Sequence, residues 1–188
     1  MKQSEIIKQL SDQELKKQVI LSQLIILSAG VLLSLFFFGK FNEWLLYFQW
    51  NLYDIFLYGV IPGLIIVAID LILILFVPEK YYDDGGINDR IFNNQPIHYI
   101  FFISLLTAVS EELLFRGVIQ TSFGYLTASI LFALVHFRYL KKPVLLISVL
   151  SVSFFIGYMF EITENLLVTI TAHFVVDFLL GCVIRFKK

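Results

Sequence analysis

Cysteine is all but missing from this chain of 188 residues, and neither sign of charge prevails. The single thiol, Cys182, excludes an intramolecular disulfide and a cysteine-rich metal site, and reads as a small apolar residue on a helix. With 14 Lys and Arg against 15 Asp and Glu, and no basic stripe interleaved with aromatics, nucleic acid is not expected as a partner. Internal repeats and low-complexity stretches are absent. So is the pattern of a cleavable signal. Residues 2–18 are polar with charges of both signs, and the apolar run behind them is long and lacks a small-residue cleavage site.

What the chain has in excess is apolar sequence, 59% of its residues. That exceeds the needs of a soluble core of this length, and it falls in long runs. The expected fold is therefore all-α, a polytopic transmembrane bundle forming one domain over residues 1–188. Six spans are expected: 19–38, 56–77, about 97 to a turn at Ser122-Phe123-Gly124, 125–137, 144–160 and 166–184. Residues 41–55, with their Trp and Tyr, are expected to lie as an interfacial helix in the headgroup region; the alternative makes them the first turns of a long second span. Pro62-Gly63 marks a kink in that span. Residues 79–96 form the longest polar loop, expected to be flexible, and match neither a phosphate cradle nor a calcium loop.

Six spans bring both termini to one side. A cytoplasmic N-terminus, with residues 1–18 as its inner segment, places Lys2, Lys8, Lys16, Lys17, Lys80, Arg90, Arg138, Lys141, Lys142, Arg185, Lys187 and Lys188 inside and only Lys40 outside. That asymmetry is the one the positive-inside rule requires of a multi-pass protein in a cell membrane.

Against this background a few ionisable groups stand at membrane depth, where each costs roughly 2.5–3.5 kcal/mol on insertion scales and marks function by default. They are Asp70; Glu111, Glu112 and Arg116; His136; and His173 with Asp177. Glu112 and Arg116 are i and i+4 on a helix and share a face, while Glu111 lies about 100° further round. One carboxylate can thus be neutralised while the other is left to take a proton from water. His173 and Asp177 repeat the i, i+4 spacing, which lets a carboxylate accept a ring N–H and fix the tautomer. The bland readings are a buried ion pair for Arg116, an interfacial histidine for His136 and for His98, and a cap or cavity-lining group for Asp70.

Three patterns stand in order on successive spans: Glu111-Glu112-Leu113-Leu114-Phe115-Arg116, Phe132-Ala133-Leu134-Val135-His136 and His173-Phe174-Val175-Val176-Asp177. Together, with Gly157 between the second and third, they resemble the CAAX protease and bacteriocin-processing (Abi) family of intramembrane endopeptidases, related to the type II CAAX prenyl endopeptidases. The resemblance covers residues 97–180, inside a motif-bearing core of 97–184. It implies hydrolysis of a peptide bond in a membrane-associated peptide or protein substrate, within or at the edge of the lipid bilayer. Glu111 is then the general base, supported by Glu112 and Arg116. His136 and His173 bind the water and stabilise the oxyanion, and Asp177 orients its histidine. No metal is assigned. Glu111, His136, His173 and Asp177 would be the ligands of a zinc ion, but no His-Glu-x-x-His helix is present and a metal-free glutamate mechanism is favoured. Asp177 stands where prenyl proteases carry Asn, which points away from a prenylated substrate. Two readings compete with the enzyme: a non-catalytic protein of the same fold acting in bacteriocin self-immunity or sensing, and a proton or ion transporter.

Overall fold

The computed structural model describes residues 10–38 and 40–187, with the backbone alone at positions 41 and 141. The expectations for the N-terminal tail, with Lys2 and Lys8, and for Lys188 lie outside the described residues. Seven helices account for most of the chain: α1 (Asp12–Phe37), α2 (Leu52–Phe76), α3 (Ile87–Phe92), α4 (Ile97–Phe123), α5 (Tyr125–Val135), α6 (Pro143–Thr163) and α7 (Leu166–Phe186). Among the described residues there is no strand.

Five helices, α1, α2, α4, α6 and α7, are long and apolar enough to cross a membrane, so this is a multi-pass membrane protein. The fourth expected span, α5, has 11 residues. At about 1.5 Å per residue it covers roughly half of a ~30 Å hydrocarbon layer. Apolar side chains such as Leu32, Leu35, Ile65 and Leu75 point outward, while the interior holds Gln23, Glu111, Glu112, Arg116, several serines and Thr169. Lipid solvates the outside of such a bundle, so polar and small residues mediate helix contacts.

Small residues set the closest approaches. Gly59 and Gly63 of α2 face α7, where a Cβ at Gly63 would lie 2.9 Å from Val175 and one at Gly59 3.0 Å from the Val168 carbonyl. Near the expected kink at Pro62-Gly63 the helix is irregular: a π-helical turn, Ile55–Val60, ends two residues before the proline, which has no N–H to give a regular α turn.

Two connections differ from the sequence-based expectation. Residues Phe41–Tyr47 form a 3-10 helix, and the chain from Leu52 onward already belongs to α2. Trp44 is buried, and its indole N–H donates to Ser34 Oγ at 3.2 Å. It packs on Gly117, where a Cβ would come within 2.6 Å of the ring, so the missing side chain draws it into the bundle instead of the headgroups. The polar loop is folded as well. Asp84 accepts the N–H groups of Ile87 (3.0 Å) and Asn88 (3.2 Å), Ile87 and Ile91 bury against Leu15, and Arg90 pairs with Asp12 at 2.7 Å.

The start of α1 and the end of α7 both reach α3, the former through Arg90–Asp12 and the latter through Gly181 against Phe92. Arg138 lies 4.0 Å from Asp84 at the same end of the bundle. At the opposite end α6 stops at Glu164, in the left-handed region at φ 48°, and buried Asn165 caps α7 by accepting from Leu167 N at 3.0 Å.

Candidate active site

The charged motif sits where α4 changes character. Ile97–Glu112 is α-helical, and the wider π-helical turn Leu113–Gln120 begins at the next residue. Such insertions concentrate at functional sites. Ser110, Glu111 and Glu112 follow one another around the helix and meet different neighbours.

Glu112 is sealed in. Its Oε2 accepts from Arg116 Nε at 3.2 Å and its Oε1 from His173 Nδ1 at 2.9 Å, with the Glu112 and Arg116 side chains both at 0% exposure. Arg116 also donates from Nη2 to the Ser153 carbonyl (3.1 Å) and hydroxyl (3.2 Å) on α6, and the Ser153 hydroxyl donates to the Ser129 carbonyl of α5 at 3.0 Å. The ion pair thus ties α4 to α5, α6 and α7. Its guanidinium lies 5.1 Å over the Phe132 ring.

Glu111 is bound on one side only. Its Oε1 accepts from Gln23 Nε2 of α1 at 3.0 Å. Its Oε2 is buried and has no hydrogen-bond partner among the described residues. His136 Nε2 lies 3.9 Å from it.

The shortness of α5 explains that meeting. The helix ends at Val135 after 11 residues, and His136 caps it with its ring within 3.9 Å of Glu111. Its Nδ1 lies 2.8 Å from the Phe132 carbonyl. A carbonyl only accepts, so Nδ1 carries the proton and Nε2 presents a lone pair towards Glu111. Phe132 is the apolar partition of the site, 4.8 Å from the His136 ring and 5.9 Å from that of His173.

His173 and Asp177 approach at 3.6 Å between Nε2 and Oδ2, longer than a hydrogen bond. The histidine is oriented mainly by Glu112, through Nδ1, rather than by Asp177. The expected residues therefore converge from α4, α5 and α7. Asp70 and His98 do not join them: Asp70 makes no hydrogen bond or ion pair among the described residues, and His98 is exposed at the start of α4.

A zinc site needs three or four donors around one point. Among the described residues no three His, Cys, Asp or Glu side chains are so grouped. Glu111, His136, His173 and Asp177 meet as pairs, do not fit that shell, and no step below runs through a metal.

Sequence reasoning missed Gln23, Ser110, Ser129 and Ser153. Gln23 had a signal, a lone amide in the first apolar run. The serines had none, because single hydroxyls are common in spanning helices. Gly157 is explained by contact: Gln120 Nε2 donates to its carbonyl at 2.9 Å, and a Cβ there would lie 2.9 Å from Ser129 Oγ.

A family model described as type II CAAX prenyl endopeptidase Rce1-like matches residues 93–179, from just before α4 into α7. "Uncharacterized protein YpbD" of Bacillus subtilis (strain 168) is 44% identical over 169 residues, covering 89% of this chain and 88% of that protein. No solved structure matches. The matched segment contains all three motifs and the side chains that converge at Glu111 and Glu112, and the chain belongs to the Rce1-like family of type II CAAX prenyl endopeptidases, a family of proteases.

Proposed function

We propose that this protein is an intramembrane endopeptidase of the bacterial plasma membrane that cleaves a membrane-associated peptide or protein, with Glu111 as general base. The observation that carries the reading is the asymmetry of the two glutamates. Both Glu112 oxygens are engaged by Arg116 and His173, whereas Glu111 keeps one buried oxygen unpaired and facing His136.

Two acceptors 3.9 Å apart suit one water that donates a hydrogen to each, Glu111 Oε2 and His136 Nε2. Its lone pair then points at the substrate carbonyl. Glu111 takes the proton as the oxygen attacks, and a tetrahedral oxyanion forms. His173, with Nδ1–H committed to Glu112, keeps Nε2 free of a hydrogen bond among the described residues, 3.6 Å from Asp177; protonated there, it donates to the oxyanion. Glu111 returns the proton to the amine as the C–N bond breaks, giving one carboxylic acid and one amine. Asp177, in place of Asn, favours a substrate without a prenyl group.

The test uses the purified protein in liposomes with quenched fluorescent peptides anchored by a transmembrane segment or by a C-terminal farnesyl group. Glu111→Gln is expected to abolish cleavage, a loss of 10²-fold or more typical of a missing general base, while membrane insertion and helix content persist. Full activity in that variant refutes the reading. A chelator is expected to leave the wild-type rate unchanged; its abolition, restored by added zinc, would overturn the metal-free mechanism.

A further inference from the structure

We infer that Gln23 is a positioning residue for this reaction, so that α1, outside the matched residues 93–179, belongs to the catalytic unit. The inference rests on the function proposed above and adds a part to it. Gln23 is buried at 7% exposure, on a helix whose neighbouring Leu21, Leu24 and Ile25 face outward. An amide taken out of solvent is unfavourable unless both its ends are bonded. Here both are. Nε2 donates to Glu111 Oε1 at 3.0 Å, and Oε1 accepts from the Ser110 hydroxyl at 2.6 Å.

The chemistry fixes the sense of the amide. A carboxylate only accepts, so the nitrogen must face Glu111, and the hydroxyl of Ser110 donates to the oxygen. The reversed amide would set two oxygens together at 3.0 Å. Held in this sense, Gln23 occupies Oε1 and leaves Oε2 as the basic atom, directed at His136. Nothing else among the described residues hydrogen-bonds to Glu111, so this contact is the one that restrains its carboxylate.

The height of α1 against α4 is fixed independently. Gly30, two helical turns after Gln23 and on the same face, lies so close to α4 that a Cβ there would be 3.4 Å from the Leu114 backbone. Arg90–Asp12 at one end and Trp44–Ser34 at the other pin the helix along its length. The backbone is thus placed by contacts that do not involve the amide, which frees Gln23 to be substituted without moving α1.

Gln23→Met keeps length and volume and removes both hydrogen bonds. In the liposome assay it is expected to lower kcat by about 10- to 100-fold, the weight of a hydrogen bond to a charged group, with KM nearly unchanged because Gln23 does not reach the substrate. In a Glu111→Asp background, whose shorter carboxylate loses the contact already, Gln23→Met is expected to add little. A full-strength kcat, or an equal additional loss in the Asp background, overturns the inference. If Gln23→Met fails to insert, Ser110→Ala, which frees the amide to rotate, is expected to give a smaller kcat loss with KM unchanged; no loss counts against the proposal.

A substrate-free measurement separates this inference from the protease reading. In infrared spectra of protein with isotope-labelled glutamate, the carboxylate band lost in Glu111→Gln reports Glu111. It is expected to shift in Gln23→Met, and an unmoved band refutes the contact. Cleavage that survives Glu111→Gln would instead sink the proposed function while leaving the band shift to be read on its own terms.

Discussion

At the residue scale, the two glutamates differ because their neighbours differ. Glu112 and Arg116 form a buried pair in which each charge is compensated, and removing one leaves the other stranded. Arg116→Met is expected to destabilise the bundle by about 3–5 kcal/mol, measured by unfolding in mixed micelles. Arg116→Lys retains the charge but not the fork that reaches Ser153, and should recover only part of that loss. A second residue, Asp84, lies outside the spanning helices. Burial raises its pKa above the ordinary carboxylate value, against the opposing pull of Arg138 and its two backbone donors. A carboxyl whose folded pKa is raised is disfavoured when ionised, so it subtracts stability as pH rises through the unfolded value towards the folded one. Asp84→Asn keeps an acceptor for the start of α3 and removes the charge. Amide exchange at Ile87 and Asn88 should be slower in the variant at pH 7, with the difference vanishing near pH 3; the opposite trend would refute this account.

At the scale of elements, α7 is the helix whose placement matters most, because it carries His173 and is held by contacts with little room to yield. Gly63→Leu would drive a side chain into Val175 and the Ala172 carbonyl, on either side of His173 in the sequence. Overpacking of this kind costs about 1–3 kcal/mol, and the variant is expected to lose cleavage while remaining in the membrane. Asn165 works at the other end. Besides capping α7 it donates to the Gln49 carbonyl at 2.7 Å and accepts from Gln49 N at 3.3 Å. Asn165→Ala is expected to lower stability by about 2 kcal/mol, the upper range for a lost cap; a change below half of that would mean that Gln49 finds other partners.

Across the whole molecule, a short helix and a folded loop share one end of the bundle with the beginning of α1 and the end of α7. Residues after His136 continue to that basic end, where Lys142 Nζ donates to the Lys80 carbonyl at 3.2 Å. The proposed orientation sets this end in the cytoplasm. It predicts that, in a Cys182→Ala background, an impermeant maleimide labels Glu164→Cys on intact cells but reaches Asn88→Cys only after the membrane is opened. Labelling of both from outside would discard the topology.

The helical class and the membrane habitat were legible in the sequence because hydropathy is additive along the chain: each apolar run reports its own transfer free energy. The motif residues were legible because charge at depth is costly and therefore rare. That Glu112 pairs with Arg116 followed from i, i+4 spacing alone. Tertiary structure decided the rest. Contacts across helices depend on rotation and height, which periodicity in one segment does not carry. So only packing could show that His173 turns to Glu112 ahead of Asp177, that α5 stops short to deliver His136, that Trp44 enters the bundle over Gly117, and that Gln23, 88 residues away in sequence, holds Glu111.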